Sequence, residues 1–297
     1  MKMNKYAKLI IAVFIGAVLV SCNRFTDSSN TNKEIANNLA DKTSEALRNS
    51  SEKLSDISKI YEKLDMSKSK FEKGYYDYEG IINNNLPIQM SIYPLTRELV
   101  GSYFYEKHKK EIKLQGKADE KNIVLYEYDE NHKNTGVFRG TMNTVDEIQG
   151  EWMSSDGKNS YPFKLSLKSI LPGVEYSKRY SVAVGKYSDQ EVENFANKVQ
   201  GYIVDNNKEK LAEQINYPIS VTSNNNVIKI ESKDEFVKNY DKILNTNFKQ
   251  QISNSYGKYM FANYQGVMFG GNQYNMWINE VTLNDGTSKL MITDINN

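Results

Sequence analysis

Very few side chains in this sequence carry reactive chemistry. Among 297 residues there is one cysteine, Cys22, and there are two histidines, His108 and His132. A thiol can be a nucleophile, a soft metal ligand or half of a disulfide, and imidazole is the usual proton carrier near neutral pH. Both histidines fall in turn-forming stretches, "EKHKKE" and "DENHKNTG", where a solvated tip is the plainer reading. Ser-His-Asp triads, histidine–carboxylate dyads and histidine-rich zinc sites are therefore not expected. Carboxylate and tyrosine chemistry remains, and Asp234, Glu235, Tyr240 and Asp241 fall together in "KDEFVKNYDKI". A carboxylate buried beside a pocket would serve as a general base if desolvation raised its pKa; the alternative is a set of first-turn charges that favour a helix dipole. Tyr240, Tyr264, Met268, Tyr274 and Trp277 are the candidate ligand-binding residues, an apolar wall with polar tips, with core packing as the competing use. No catalytic residue, metal site or cofactor is expected.

Cys22 ends a recognisable leader. Lys2, Lys5 and Lys8 precede the apolar run "LIIAVFIGAVLV", residues 9–20, and the small residue Ser21, in the layout of a secretory signal. About 12 residues at roughly 1.5 Å each reach only ~18 Å of a ~30 Å hydrocarbon core, so the run reads as an export signal rather than a membrane span. The residues "LVSC", Leu19-Val20-Ser21-Cys22, resemble a bacterial lipoprotein signal, although Val20 is a less common choice at its position. That resemblance implies alkylation of the Cys22 thiol by diacylglycerol, removal of residues 1–21, and anchoring to a membrane through lipid on Cys22. Asn23 rather than aspartate follows the cysteine, which, if sorting resembles that of enteric bacteria, favours the outer membrane or cell surface over the inner membrane.

Lipidation would leave the remaining chain without a thiol, so neither disulfides nor thiolate sites are expected in it. Removing the three leader lysines from 38 basic residues leaves 35 against 37 acidic ones, a net of −2 with no surplus for nucleic acid. Residues 22–33 form a polar, Ser- and Asn-rich tether. From residue 34 to about 70 the spacing of Leu47, Leu54, Ile57, Tyr61 and Leu64 predicts an amphipathic helix. Its stripe is narrow, and it suits a helix packed on its own domain, a spacer or a short coiled coil.

Between residues 74 and 170 the period changes to two. "GYYDYEGII", "PIQMSIYP", "LVGSYFYEK", "KEIKLQGK", "NIVLYEYD", "GVFRGTM", "EIQGEWMS" and "YPFKLSLK" alternate apolar and polar residues between Asn-, Asp- and Gly-containing turns. Eight successive strands predict an antiparallel meander, about the number that closes into a small barrel. Gly101, Gly136 and Gly150 lie close to aromatics, as sharp bends in a coiled barrel require; a filled core is the reading preferred to an aromatic ligand cup. The meander is similar to domains of uncharacterised exported bacterial proteins and, more loosely, to lipoprotein-type lysozyme inhibitors, with no inhibitory loop motif to carry over.

The remainder, residues 174–297, reads as α+β. Ser188 caps a helix over "DQEVENFANKVQ", "KEKLAEQI" follows, "YPISV" and "VIKIE" form a hairpin, and Ser232 with Glu235 opens a further helix by a capping box. The chain then ends in "YMFANYQGVMFG", "YNMWINEVTL" and "KLMITDI", read as three long strands. This order, with "INYPISV", "KDEFVKNYDKI" and "FANYQGVMFGGNQYNMWIN", resembles the NTF2-like fold, a curved sheet wrapped round a helix as a cone. The fold class expected is thus α+β: an N-terminal helix, an eight-strand antiparallel barrel-like meander and an NTF2-like cone. The function expected is that of a membrane-anchored bacterial lipoprotein acting as a non-catalytic binding or interaction module in the cell envelope. Its partner would be a protein, a peptide or a small ligand. The alternatives are inhibition of a cell-wall hydrolase and a carboxylate-dependent enzyme in the cone.

Overall fold

A computed structural model describes residue 45 and residues 48–297 apart from 224, 225 and 272. The leader, Cys22, the tether and the first part of the expected 34–70 helix lie outside the described residues. Helix α1 covers residues 48–63 and is followed by a 3-10 turn, Met66–Lys68, capped by the Asp65 carboxylate. No helix among the described residues is long and apolar enough to cross a membrane.

The meander closes. Strands β1 (Gly74–Ile82), β2 (Leu86–Pro94), β3 (Leu99–Tyr105), β4 (Ile112–Ala118), β5 (Asn122–Tyr128), β6 (Asn134–Thr141), β7 (Glu147–Ser154) and β8 (Ser160–Pro172) pair in chain order, and β1 pairs antiparallel with β8. Alternate residues fill the interior, among them Tyr78, Met90, Tyr103, Leu125, Phe138 and Phe163, and Met66 and Phe71 pack onto the same cluster. The interior is packed with side chains, as the preferred sequence reading has it. One carboxylate is enclosed with them: Glu127 accepts hydrogen bonds from Tyr103 (2.6 Å), Thr135 (2.7 Å) and Trp152 (2.9 Å). Three donors satisfy a charge that would otherwise be costly to bury. On the outside, Ile57 and Leu64 of the α1 segment pack against Val124, Val137 and Met153, so the helix lies on β5–β7.

Glycine permits the tight coiling. Gly140 faces Gly150 across β6 and β7, and a Cβ on Gly150 would stand 2.0 Å from the Arg139 carbonyl oxygen. Gly136 leaves room for the Trp152 indole, which a Cβ would meet at 2.9 Å.

A connector, residues 173–188, leads to α2 (Asp189–Val204), α3 (Lys208–Ala212), β9 (Ile215–Ser223), β10 (Asn226–Ile230), α4 (Lys233–Ile243), α5 (Thr246–Asn254), β11 (Phe261–Asn263), β12 (Gly266–Gly271), β13 (Tyr274–Thr282) and β14 (Ser288–Asn296). The six strands order as β10-β9-β14-β13-β12-β11, with β14 parallel to β9 and the other pairs antiparallel. Val192, Phe195 and Val199 of α2, Phe236 and Tyr240 of α4, and Phe248 and Ile252 of α5 share one core with Val267, Phe269, Met276 and Ile278. Ser188 and Glu191 form the capping box of α2, and Ser232 caps α4 through the Glu235 amide. Two elements differ from expectation. Helix α5 is additional, carried by only Phe248 and Ile252 behind the Asn245 cap. The stretch read as one strand from residue 259 is a hairpin: Tyr264 and Gln265 form the turn, the Asn263 side chain accepts from the Gln265 amide at 2.8 Å, and Gly266, at φ +141°, opens β12.

Glycine substitutions separate the two backbone demands. Gly150→Ala should lose roughly 1–3 kcal/mol through overpacking. Gly201→Ala in α2, where nothing lies within 4 Å of the new methyl, should gain about 0.5–1 kcal/mol. Urea unfolding of both variants measures the pair.

Candidate functional site

Strand alternation turns Tyr75 and Asp77 of β1, Ser91 and Tyr93 of β2, Val100, Ser102 and Phe104 of β3, and Lys113 and Gln115 of β4 away from the filled interior. The α+β part docks on this outer wall. Its main fixture is Arg179 in the connector, 3% exposed beside an equally buried Asp77. Nη1 donates to Asp77 Oδ1 (3.1 Å) and Ser91 Oγ (3.2 Å), Nη2 donates to Asp77 Oδ2 and the Met260 carbonyl (3.1 Å), and Nε donates to the same carbonyl (3.2 Å). A guanidinium has five N–H groups, and five hydrogen bonds are made. Ser169 supplies a further donor to Asp77 at 3.2 Å. The Tyr75 ring lies 5.0 Å from the guanidinium carbon. Burial favours the neutral guanidine, but the Asp77 charge prevails and the Arg179 pKa is raised.

Beside this joint, the barrel wall, the connector and α2 enclose a cleft of about 790 Å³. On its floor the Tyr259 hydroxyl pairs with Ser102 Oγ at 2.6 Å, and Ser102 donates to Glu111 at 2.7 Å. Lys113 and Lys258 each donate to Glu111 at 2.9 Å, and Lys258 stands 3.8 Å from Glu193 of α2. Burial alone would raise Glu111, but hydrogen bonds from Lys113, Lys258 and Ser102 hold it at about 2. Burial dominates at Glu193, and with Asp189 and Glu111 nearby it outweighs Lys258 and moves that carboxyl up to about 7. Two carboxyls in one cleft are thereby pushed apart in pKa. At the rim, Tyr176 leans on Tyr93 (5.3 Å between ring centres), which packs on Tyr75 (4.8 Å). Tyr128 and His132 also border the cleft. A smaller cleft of about 400 Å³ shares Lys258 and Tyr259 with it and reaches Gln251, Met268 and Gly271.

The five residues singled out in the sequence do not converge. Tyr240 is fully buried in the α+β core, with the Lys249 and Lys208 ammoniums 4.4 and 5.1 Å from its ring centre. Tyr264 is 84% exposed in the β11–β12 turn. Met268 faces Trp277 across β12 and β13, and the Tyr274 hydroxyl accepts from Asn247 at 3.3 Å. Met268 borders the second cleft, and none of the five borders the first. Of the carboxylates, Glu235 accepts from the Glu231 amide (2.8 Å) and Asp241 bridges Lys208 (3.0 Å) and Lys249 (2.8 Å), while Asp234 is exposed. These are capping and surface charges. Both histidines are exposed residues of turns.

Sequence reasoning missed Asp77, Glu111, Arg179, Glu193 and Lys258, and saw Tyr259 only as one of the aromatics that crowd the last strands. Signals existed in part: Arg179 is one of five arginines in a lysine-rich chain, and Glu193 sits on the flank of the apolar stripe of α2. Among the described residues, no group of three or more His, Cys, Asp or Glu side chains is arranged to hold a metal ion. Comparison with protein-family models, curated proteins and solved structures finds no match.

The joint and the raised carboxyl give separate tests. Arg179→Ala and Asp77→Asn each leave a buried partner uncompensated and should cost about 3–5 kcal/mol. The paired change Arg179→Met with Asp77→Leu should cost less than Arg179→Met or Asp77→Leu alone, in a double-mutant cycle of these three variants by chemical denaturation. Glu193 keeps its proton to about pH 7 when folded and releases it near its ordinary 4.5 when unfolded. The folded state therefore holds more protons within that window, and stability falls as pH rises through it. Glu193→Gln should flatten the decline by up to about 3 kcal/mol, read from denaturation midpoints between pH 4.5 and 8.

Proposed function

We propose that this protein is an exported bacterial lipoprotein, anchored through lipid on Cys22, and that it works as a non-catalytic binding module whose site is the cleft beside Arg179. The observation that carries the reading is the cleft itself. It has about 790 Å³ of space, a tyrosine rim and a floor of polar groups already fixed by hydrogen bonds. Its volume falls in the range of small-molecule sites, roughly 300–1,000 Å³. Fixed polar groups orient a ligand without first having to be ordered. The α+β part is read as a variant of the NTF2-like cone, supported by its run of two helices, a hairpin, further helices and closing strands. The leader "LVSC" supports the anchor.

A second reading, a carboxylate-dependent enzyme, draws on Glu193 at about 7 facing Glu111 at about 2. Carboxyls held apart in pKa can divide the roles of acid and base. It is dropped if p-nitrophenyl esters and glycosides stay intact with the purified protein at pH 6.

Two experiments test the main reading. Cells fed labelled palmitate should incorporate it into the wild type and not into Cys22→Ser; an unlabelled wild type sinks the anchor. Crystals soaked with a set of polar fragments should gather most hits between Tyr176 and Lys258, and hits concentrated elsewhere would remove the cleft as the binding site.

A further inference from the structure

We infer that the cleft takes a neutral, hydroxyl-rich oligosaccharide, laid against the rim tyrosines and hydrogen-bonded by the polar side chains below them. The inference rests on the binding reading above and specifies its ligand.

Charge accounting comes first. The guanidinium of Arg179 has its five N–H groups committed to Asp77, Ser91 and the Met260 carbonyl. Lys113 and Lys258 both point their ammoniums at Glu111. The two oxygens of Asp189 accept from the backbone amides of Arg179 (2.9 Å) and Tyr180 (3.2 Å). Binding a charged ligand at Arg179 would break its pair with Asp77, which is buried and therefore costly to break; at the more exposed Lys113 and Lys258 such a ligand would compete with Glu111, and at Glu193 with Lys258. A neutral ligand leaves them intact.

The lining then selects among neutral ligands. Gln115, Gln190, Ser177 and Tyr128 border the cleft; the Gln115 and Gln190 amides donate once each, to Glu98 (2.5 Å) and Asn194 (2.9 Å), and an amide has a second N–H and an oxygen besides. Such groups match vicinal hydroxyls, which both donate and accept. Tyr176, 49% exposed and braced by Tyr93 and Tyr75, presents a held aromatic ring at the mouth. The positive edge of a sugar's C–H face suits the negative face of such a ring. A purely apolar ligand would take water from these amides and hydroxyls without replacing it, and a small polyol would leave the tyrosine rim unused.

Cellotetraose, N-acetylated chitotetraose and maltotetraose are suitable probes, titrated calorimetrically into the full chain in detergent. At least one should bind with a Kd on the order of 0.1–1 mM. Tyr176→Ala and Gln190→Ala should each weaken it about tenfold or more, while Tyr264→Ala, on an exposed turn elsewhere, should not change it. Affinity should hold between about 0.05 and 0.5 M NaCl, because screening acts on charges and the ligand has none. A tenfold loss over that range, or sensitivity to Tyr264→Ala in place of Tyr176→Ala, overturns the inference. If phosphate, spermidine or tri-alanine binds at the cleft and no tetrasaccharide does, the saccharide class fails while the cleft stands as a binding site. Silence of all three tetrasaccharides together with no fragment in the cleft overturns both.

Discussion

Arg179 and Asp77 hold the molecule's two β-structures in register. The pair draws on five stretches of chain: β1 gives Asp77, β2 gives Ser91, β8 gives Ser169, the connector gives Arg179, and the loop before β11 gives the Met260 carbonyl. Removing a guanidinium and a carboxylate from water costs several kcal/mol per ion, and only near-complete hydrogen bonding offsets that cost. Five donors on four acceptor atoms, the Met260 carbonyl taking two, meet the requirement. The geometry is consequently narrow: moving the connector along the barrel wall would strand a charge. The cleft owes its shape to this restriction, since one of its walls belongs to the barrel and the other to the connector and α2.

Two buried carboxylates illustrate how location decides use. Glu127 lies inside the barrel with three donors and neighbours that leave no approach to it, so its work is to specify the packing. Glu193 borders the cleft with a cation at 3.8 Å, too far for a full hydrogen bond, and it keeps its proton to about pH 7. With the barrel filled, the cleft lies against its outer wall, where serines, tyrosines and paired charges replace the apolar and aromatic interior.

The fold was legible wherever periodicity was strong. Eight alternating segments between turn residues announce the meander, and closure follows from their number; the caps at Ser188 and Ser232 mark their helices. Helix α5 escaped because two apolar residues four apart scarcely outweigh the polar "TNFKQQISN" around them. The β11–β12 turn escaped because "FANYQG" continues an apolar and aromatic run, and the turn signals in it, Asn263 and Gly266, are single residues on either side of Tyr264 and Gln265. The cleft was hardly legible at all. Its residues stand at positions 102, 111, 179, 193 and 259, each with a plausible local role as a surface or capping group, and no spacing rule joins them. Aromatic crowding in the last strands was visible, but a sheet covered by helices needs such residues for its core, and Phe269 and Met276 serve there. Composition reveals that aromatic residues exist; topology decides which of them meet solvent.

Sequence separation also sets an order of assembly. Seven of the eight barrel pairings join strands adjacent in the chain, and only β1 with β8 reaches across the whole of it. Such pairings close short loops and form early, before contacts between distant segments. The Asp77 side is in place once β8 has docked, but the Met260 carbonyl lies 81 residues beyond Arg179. Until that loop arrives, the guanidinium keeps its water. Dehydration of this one side chain therefore requires chain segments 102 residues before it and 81 after it, and it completes the joint between the barrel and the α+β part.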